Sequence, residues 1–137
     1  MSPILKSILA VVVGAIAGSL VNMGIIMLSS SIIPPPEGAD VTTMEGLKAS
    51  MHLFKPINFL MPFLAHALGT MVGAMVAAFM VVDSKRRVAF ILGFIFMAGG
   101  ITTMMDLPSP IWFNIVDIVG AYLPFAYLGG YIAIKKS

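Results

Sequence analysis

Four stretches of the chain stay apolar for longer than a soluble helix requires. No charged residue interrupts positions 7–36. A membrane-spanning helix takes about 20 mostly apolar residues, so a first span is expected over 4–30. Positions 56–82 repeat the pattern, free of charge apart from whatever His66 carries, and give the second. A shorter run over 88–105 gives the third. The fourth, 110–134, is broken by a single acid, Asp117. The links DSKRR (83–87) and DLPSP (106–110) are tight, so the third and fourth spans should each run antiparallel to the one before.

The outer loop over 34–55 begins where three prolines follow the first apolar run. Pro34, Pro35 and Pro36 lack amide hydrogens and clash with the preceding turn, so no helix continues through them. Together they favour a stiff extended segment. Glu37, Gly38 and Asp40 then stand in water. Thr42 and Glu45 have the spacing of a capping box, which marks the start of a short helix. On its wheel Met44, Leu47, Met51 and Phe54 share one arc, flanked by Lys48, His52 and Lys55. Such a helix either lies in the membrane interface, apolar side down with its lysines reaching for water, or covers the bundle as a lid. Pro56 suits the first turn of the second span.

Composition makes a bilayer the expected solvent. Hydrophobic residues are 59% of the chain and charged residues only 10%, against roughly 25% charged in a soluble domain. The charges orient the bundle. Lys6, the trio Lys85, Arg86 and Arg87, and the pair Lys135 and Lys136 fall at one end, with only Lys48 and Lys55 at the other. By the positive-inside rule both termini are cytoplasmic, N-in/C-in. Trp112 then sits at the outer interface and Tyr131 near the inner one. No basic run is interleaved with aromatics, so no nucleic-acid partner is expected. The absence of cysteine excludes thiol redox chemistry, disulfides and cysteine-ligated metals. Ala15-Ile16-Ala17 resembles a signal-peptidase site, but the apolar run continues to Ile33, well beyond a signal core of about 7–15 residues. The segment is therefore expected to remain as a span.

Small residues recur four apart in the first span, at Ala10, Gly14 and Gly18, with Asn22 on the same stripe; the second repeats the device at Ala65, Gly69, Gly73 and Ala77. In lipid, helices associate through close backbone approach and dispersion, so these stripes are packing faces, for each other or for a second copy. Gly99-Gly100 and Gly129-Gly130 point to close packing in the last two spans.

Ionisable groups inside spans are costly and default to functional candidates. Two exist, His66 and Asp117, about 15 and 10 Å below the outer face at 1.5 Å per residue. Asn22 lies in the same outer half, and Asn114 one turn above Asp117. These four either satisfy one another as interhelical hydrogen bonds or line an outward-open cavity. Pro62 and Pro124 free the carbonyls of Asn58 and Gly120, which favours kinks beside them.

No zinc-protease, activated-serine or phosphate-loop motif is present, so no enzyme, metal or cofactor is expected. Two histidines, one in a loop, make a bis-histidine haem a poor fit. A quinone needs only one or two polar contacts in an apolar slot, and that class stays open. IIPPPEGAD after the first span, LAHALGTMVGAMVAA in the second, PSPIWFNIVD entering the fourth and AYLGGYIA leaving it resemble a group of small four-span bacterial integral membrane proteins with a proline-rich outer loop. The resemblance covers most of the chain. It implies the bacterial inner membrane and four helices, and no activity. Small multidrug transporters share the length, but their intramembrane glutamate in the first helix is missing. Fluoride channels are similar in size, but their phenylalanine–threonine pattern is absent.

The expectation is thus an all-α membrane protein, a four-transmembrane-helix bundle forming a single domain. Its leading role is binding or structural: an accessory subunit of a larger membrane complex, or a homo-oligomer packed through its glycine-lined helices. The alternative is a small transporter or channel with an outward-facing polar site at His66 and Asp117. A lipid- or quinone-handling enzyme ranks third.

Overall fold

The first long helix starts where the sequence supplies a starter and ends where it supplies a stop. In the structure, a computed structural model that describes residues 1–137, α1 spans Pro3–Ile32. Ser2 Oγ accepts the Leu5 N–H at 3.1 Å, and Pro3 occupies the first turn. The last helical bond runs from the Ile33 N–H to the Ser29 carbonyl, because the three prolines beyond have no N–H to offer. After the short α2 (Met44–Ser50), a 3₁₀ turn over Pro56–Phe59 leads into α3 (Leu60–Phe79). The chain then forms α4 (Lys85–Asp106), α5 (Ile111–Gly120) and α6 (Leu123–Lys136). There are no strands. Four segments, Pro3–Ile32, Pro56–Phe79, Lys85–Asp106 and Ile111–Lys136, are long and apolar enough to cross a membrane. Their outward surfaces carry Ile8, Val12, Ile16, Leu20, Ile95 and Val119, the face a helix turns to lipid.

α3 is the hub, in contact with α1, α4, α5 and α6. The glycines explain how. A Cβ added at Gly14 would stand 2.5 Å from the Gly73 carbonyl oxygen, and one added at Gly18 would stand 2.5 Å from that of Gly69. The reciprocal positions are nearly as tight, 2.7 Å from Gly73 and 2.8 Å from Gly69. The two small-residue stripes therefore close on each other, with α1 antiparallel to α3. Leu92 of α4, fully buried, wedges against Gly14 and Gly73. On the other side Gly129 lies against the α3 backbone at Met71 and Met75. The resulting core is built from alanines, among them Ala10, Ala74, Ala77, Ala78, Ala89, Ala126 and Ala133, with Val88 and Leu92. It fills the half of the bundle nearest the termini, where the Lys85 ammonium donates to Ser137 Oγ at 2.8 Å.

Two local expectations are corrected, and a third, the disruption expected beside Pro124, is met. The short helix is capped by Thr43, whose Oγ1 accepts the Gly46 N–H, and not by Thr42. Thr42 instead turns back to Asp40, which receives its hydroxyl at 2.6 Å and its N–H at 3.0 Å. The fourth span is two helices, interrupted at Ala121 and Tyr122. Pro124 cannot donate to the Gly120 carbonyl, and the chain restarts a helix around it. Pro62 falls in the first turn of α3, where a missing N–H costs nothing, so α3 continues through it as a helix.

Two predictions arise from this packing. Gly14→Ala should destabilise the bundle by about 1–3 kcal/mol, the usual cost of overpacking. Gly24→Ala, where a Cβ meets nothing within 4 Å, should not destabilise it. Reversible unfolding in detergent compares the two. The second concerns the loop. The bonds from Thr42 favour ionised Asp40 and hold its carboxyl below the ordinary value. A lowered folded pKa gives stability that is complete above the unfolded value and disappears as pH falls through the folded one. Hydrogen-exchange protection of the Thr42 amide should accordingly drop on acidification through that window, and Asp40→Asn should remove the pH dependence.

Candidate functional site

The half of the bundle nearest the 34–55 loop is built differently. Here α5 and α6 bend and the helices part, and the polar side chains collect. His66, in the second turn of α3, points Nδ1 at the Asp117 carboxylate, 2.8 Å from Oδ1 and 2.9 Å from Oδ2. The carboxylate is almost enclosed, 7% exposed at its side chain, and the imidazole 24%. An ionised carboxylate only accepts hydrogen bonds, so Nδ1 carries the proton. In the neutral imidazole Nε2 is then left with a free lone pair.

The break between α5 and α6 completes the pair. It swings Tyr122 back so that its hydroxyl donates to Asp117 Oδ2 at 3.3 Å, while its ring stacks on His66 with centroids 5.8 Å apart. Thr70 donates its hydroxyl to the His66 carbonyl at 2.7 Å. This buried hydroxyl is satisfied within its own helix.

A chamber of about 480 Å³ opens above the pair, inside the range of roughly 300–1,000 Å³ typical of ligand sites. Its polar wall is Asn22, His66, Thr103, Ser109, Asn114 and Asp117. Its apolar wall includes Ile26, Phe59, Met104 and Phe113. The roof comes from the apolar arc of α2 and the turn after it, Met44, Leu47, Met51 and Phe54. Met51 is pinned between Phe59 and Phe113, and the Asp40 N–H donates to buried Ser50 Oγ at 2.9 Å, which ties the loop to the roof. A second cavity of about 270 Å³ lies between α1 and α4, walled by Ser19, Ile95, Phe96 and Gly99. It shares Asn22, His66, Gly100 and Thr103 with the chamber. Below it, Phe96 packs against Gly18 and closes the way.

The sequence-derived residues separate into four groups. His66 and Asp117 are paired. Asn22 is beside them but unpaired: its backbone and Cβ rest on Gly69, one turn from His66, and its buried Oδ1 has no hydrogen-bond partner. Asn114 is paired elsewhere, accepting the Ser109 hydroxyl at 2.7 Å and thereby closing the start of α5 at the rim. The outer-loop residues stand apart. The Pro34 carbonyl accepts from Asn58 at 3.4 Å, and exposed Glu37 touches neither cavity. Tyr122 went unrecognised from sequence; the signal was Pro124, which marks the break that turns the tyrosine inward.

No family model, curated protein or solved structure matches the chain. The chemistry of the site therefore rests on its own geometry. The chamber offers a basic nitrogen, a carboxamide that both donates and accepts, and an apolar enclosure. No cluster of three or more His, Cys, Asp or Glu side chains stands ready to hold a metal.

The pair predicts an asymmetric response. His66→Ala leaves a buried carboxylate with one long hydrogen bond and should cost about 3 kcal/mol or more, as breaking buried pairs does. Asp117→Ala leaves an imidazole that is neutral and faces the chamber, and should cost less. The double variant should cost less than the sum of the two, measured as a double-mutant cycle on unfolding.

Proposed function

We propose that the protein is a small multi-pass component of the bacterial inner membrane, N-in/C-in, that binds a small ligand in the chamber around His66. One observation carries the reading. His66, whose Nε2 makes no hydrogen bond within the chain, and Asn22, whose Oδ1 is buried without a partner, both line cavities of ligand size. A buried acceptor left unmatched costs about 1–3 kcal/mol, so a ligand that draws the Asn22 carboxamide round into the cavity and supplies the missing donor offsets a cost the free protein carries. Orientation rests on the charges at the termini end, and the compartment on the resemblance of the chain to small four-span bacterial proteins. In this orientation α2 lies at the outer interface, and the chamber belongs to the outer half.

The role is binding, without catalysis. Assembly into a homo-oligomer or a larger membrane complex falls to the exposed flanks, since Gly14, Gly18, Gly69 and Gly73 are spent within the chain. Transport is the second reading, favoured by a polar site confined to one half of the bundle and sealed from the other. It requires the seam between α1 and α3 to part, and the backbone contacts along that seam oppose it.

Native mass spectrometry after gentle extraction from the source membranes tests the reading. Each 14.5 kDa chain should carry a non-covalent small-molecule adduct that Asn22→Leu loses. A bare chain, or one that holds only a protein partner, contradicts it. The chain has no cysteine, so single replacements report topology cleanly. Glu37→Cys should react with an impermeant maleimide from outside, and Asp83→Cys only after the membrane is opened.

A further inference from the structure

The second cavity suggests what the ligand is. It lies on the flank of the bundle between α1 and α4, and its wall at Gly99 is open: a Cβ there meets nothing within 4 Å. Exposed Ser19, Ile95 and Thr103 line the same cleft. Its inner end reaches His66 and Asn22, about 15 Å along their helices from the loop-side ends at 1.5 Å per residue. That depth lies inside the apolar zone of a bilayer whose hydrocarbon core is about 30 Å thick. A molecule that enters here comes from the lipid and not from water.

The lining selects its head. Neither cavity is lined by Lys or Arg, and a neutral His66 beside the Asp117 carboxylate adds no positive charge, so a phosphate or other anionic head finds no counter-charge. What the site presents is a lone pair on Nε2 and a carboxamide on the facing helix, inside walls that include the rings of Phe54, Phe59 and Phe113. An acceptor nitrogen and a carboxamide on the wall of a chamber that also presents aromatic rings suit a flat ring that carries oxygens.

Building on the chamber reading, we propose that the ligand is a lipid-soluble quinol or quinone, its ring between His66 and Asn22 and its tail leaving through the cleft between α1 and α4. The reduced form fits better. One hydroxyl donates to Nε2, and the other supplies the donor that Asn22 Oδ1 lacks once the carboxamide turns from its buried position into the cavity. The oxidised form has no donor for either and is held only through the Asn22 amide nitrogen. The same hydroxyl chemistry belongs to an open-chain prenyl alcohol, which lacks the ring and the second oxygen.

The test is calorimetric titration of the intact protein in lipid nanodiscs, with empty discs subtracted, using decylbenzoquinol under anaerobic reduction, decylbenzoquinone and farnesol. Saturable binding of the quinol at one per chain, about tenfold tighter than the quinone, is expected, a difference of about 1.4 kcal/mol. Gly99→Leu should weaken it at least tenfold by filling the cleft, and Asn22→Leu likewise. The glycine variant adds a side chain in open space and should leave the melting temperature intact. Farnesol binding as tightly as the quinol overturns the ring assignment, as does quinol binding unchanged by Gly99→Leu. If neither the quinol nor the quinone saturates while the native chain still carries another adduct, the quinol assignment fails and the chamber reading stands. If no adduct is found either, both fail.

Discussion

The contact between the α1 and α3 backbones at Gly14–Gly73 and Gly18–Gly69 governs the rest of the molecule. In lipid there is no gain from hiding apolar surface, so helices adhere where their backbones come close enough for dispersion to accumulate. Side chains at those four positions would hold α1 off. With none, α1 settles on α3 in one register, and that register carries Asn22 onto Gly69, one turn from His66. The seam thus determines both the packed half of the bundle and one wall of the chamber in the other half.

The two halves obey opposite requirements. Near the termini, alanine and glycine give a dry core in which Leu92 fills the remaining space. Near the loop, larger residues such as Phe59, Met104 and Phe113 stand around an opening. Polar groups there need partners because the surroundings offer no water. Asp117 obtains His66 and Tyr122, Asn114 obtains Ser109, and Thr70 turns to its own helix. Asn22 alone obtains none for its buried oxygen. That oxygen is the one buried side-chain acceptor left without a partner, and the proposed ligand reading rests on it.

Much of this is written locally in the sequence. The uncharged runs set the four long segments, Pro34–Pro36 set the end of α1, and the spacing of His66 and Asp117 from their helix starts put both at similar depth. Other features depend on tertiary choices that no local pattern encodes. A stripe of small residues marks a close contact but not its partner, so pairing within the chain could not be told from pairing between copies. Pro124 signalled a disruption, yet the inward turn of Tyr122 depends on where the carboxylate lies. Adjacent threonines compete for the same cap, and Asp40 decides the contest by holding Thr42. The apolar arc of α2 reads the same whether it faces lipid or Leu47 and Met51 roof a cavity.

The central claim is that His66 commits Nδ1 to Asp117 and keeps Nε2 available to the chamber. The most direct measurement is ¹⁵N NMR of the imidazole nitrogens in histidine-labelled protein in bilayers, with exposed His52 as the reference signal. A protonated, hydrogen-bonded Nδ1 on His66, displaced by Asp117→Asn, together with an Nε2 that responds to chamber ligands, is the outcome the proposed reading predicts. A bare Nδ1, or an Nε2 already engaged within the protein, would contradict it.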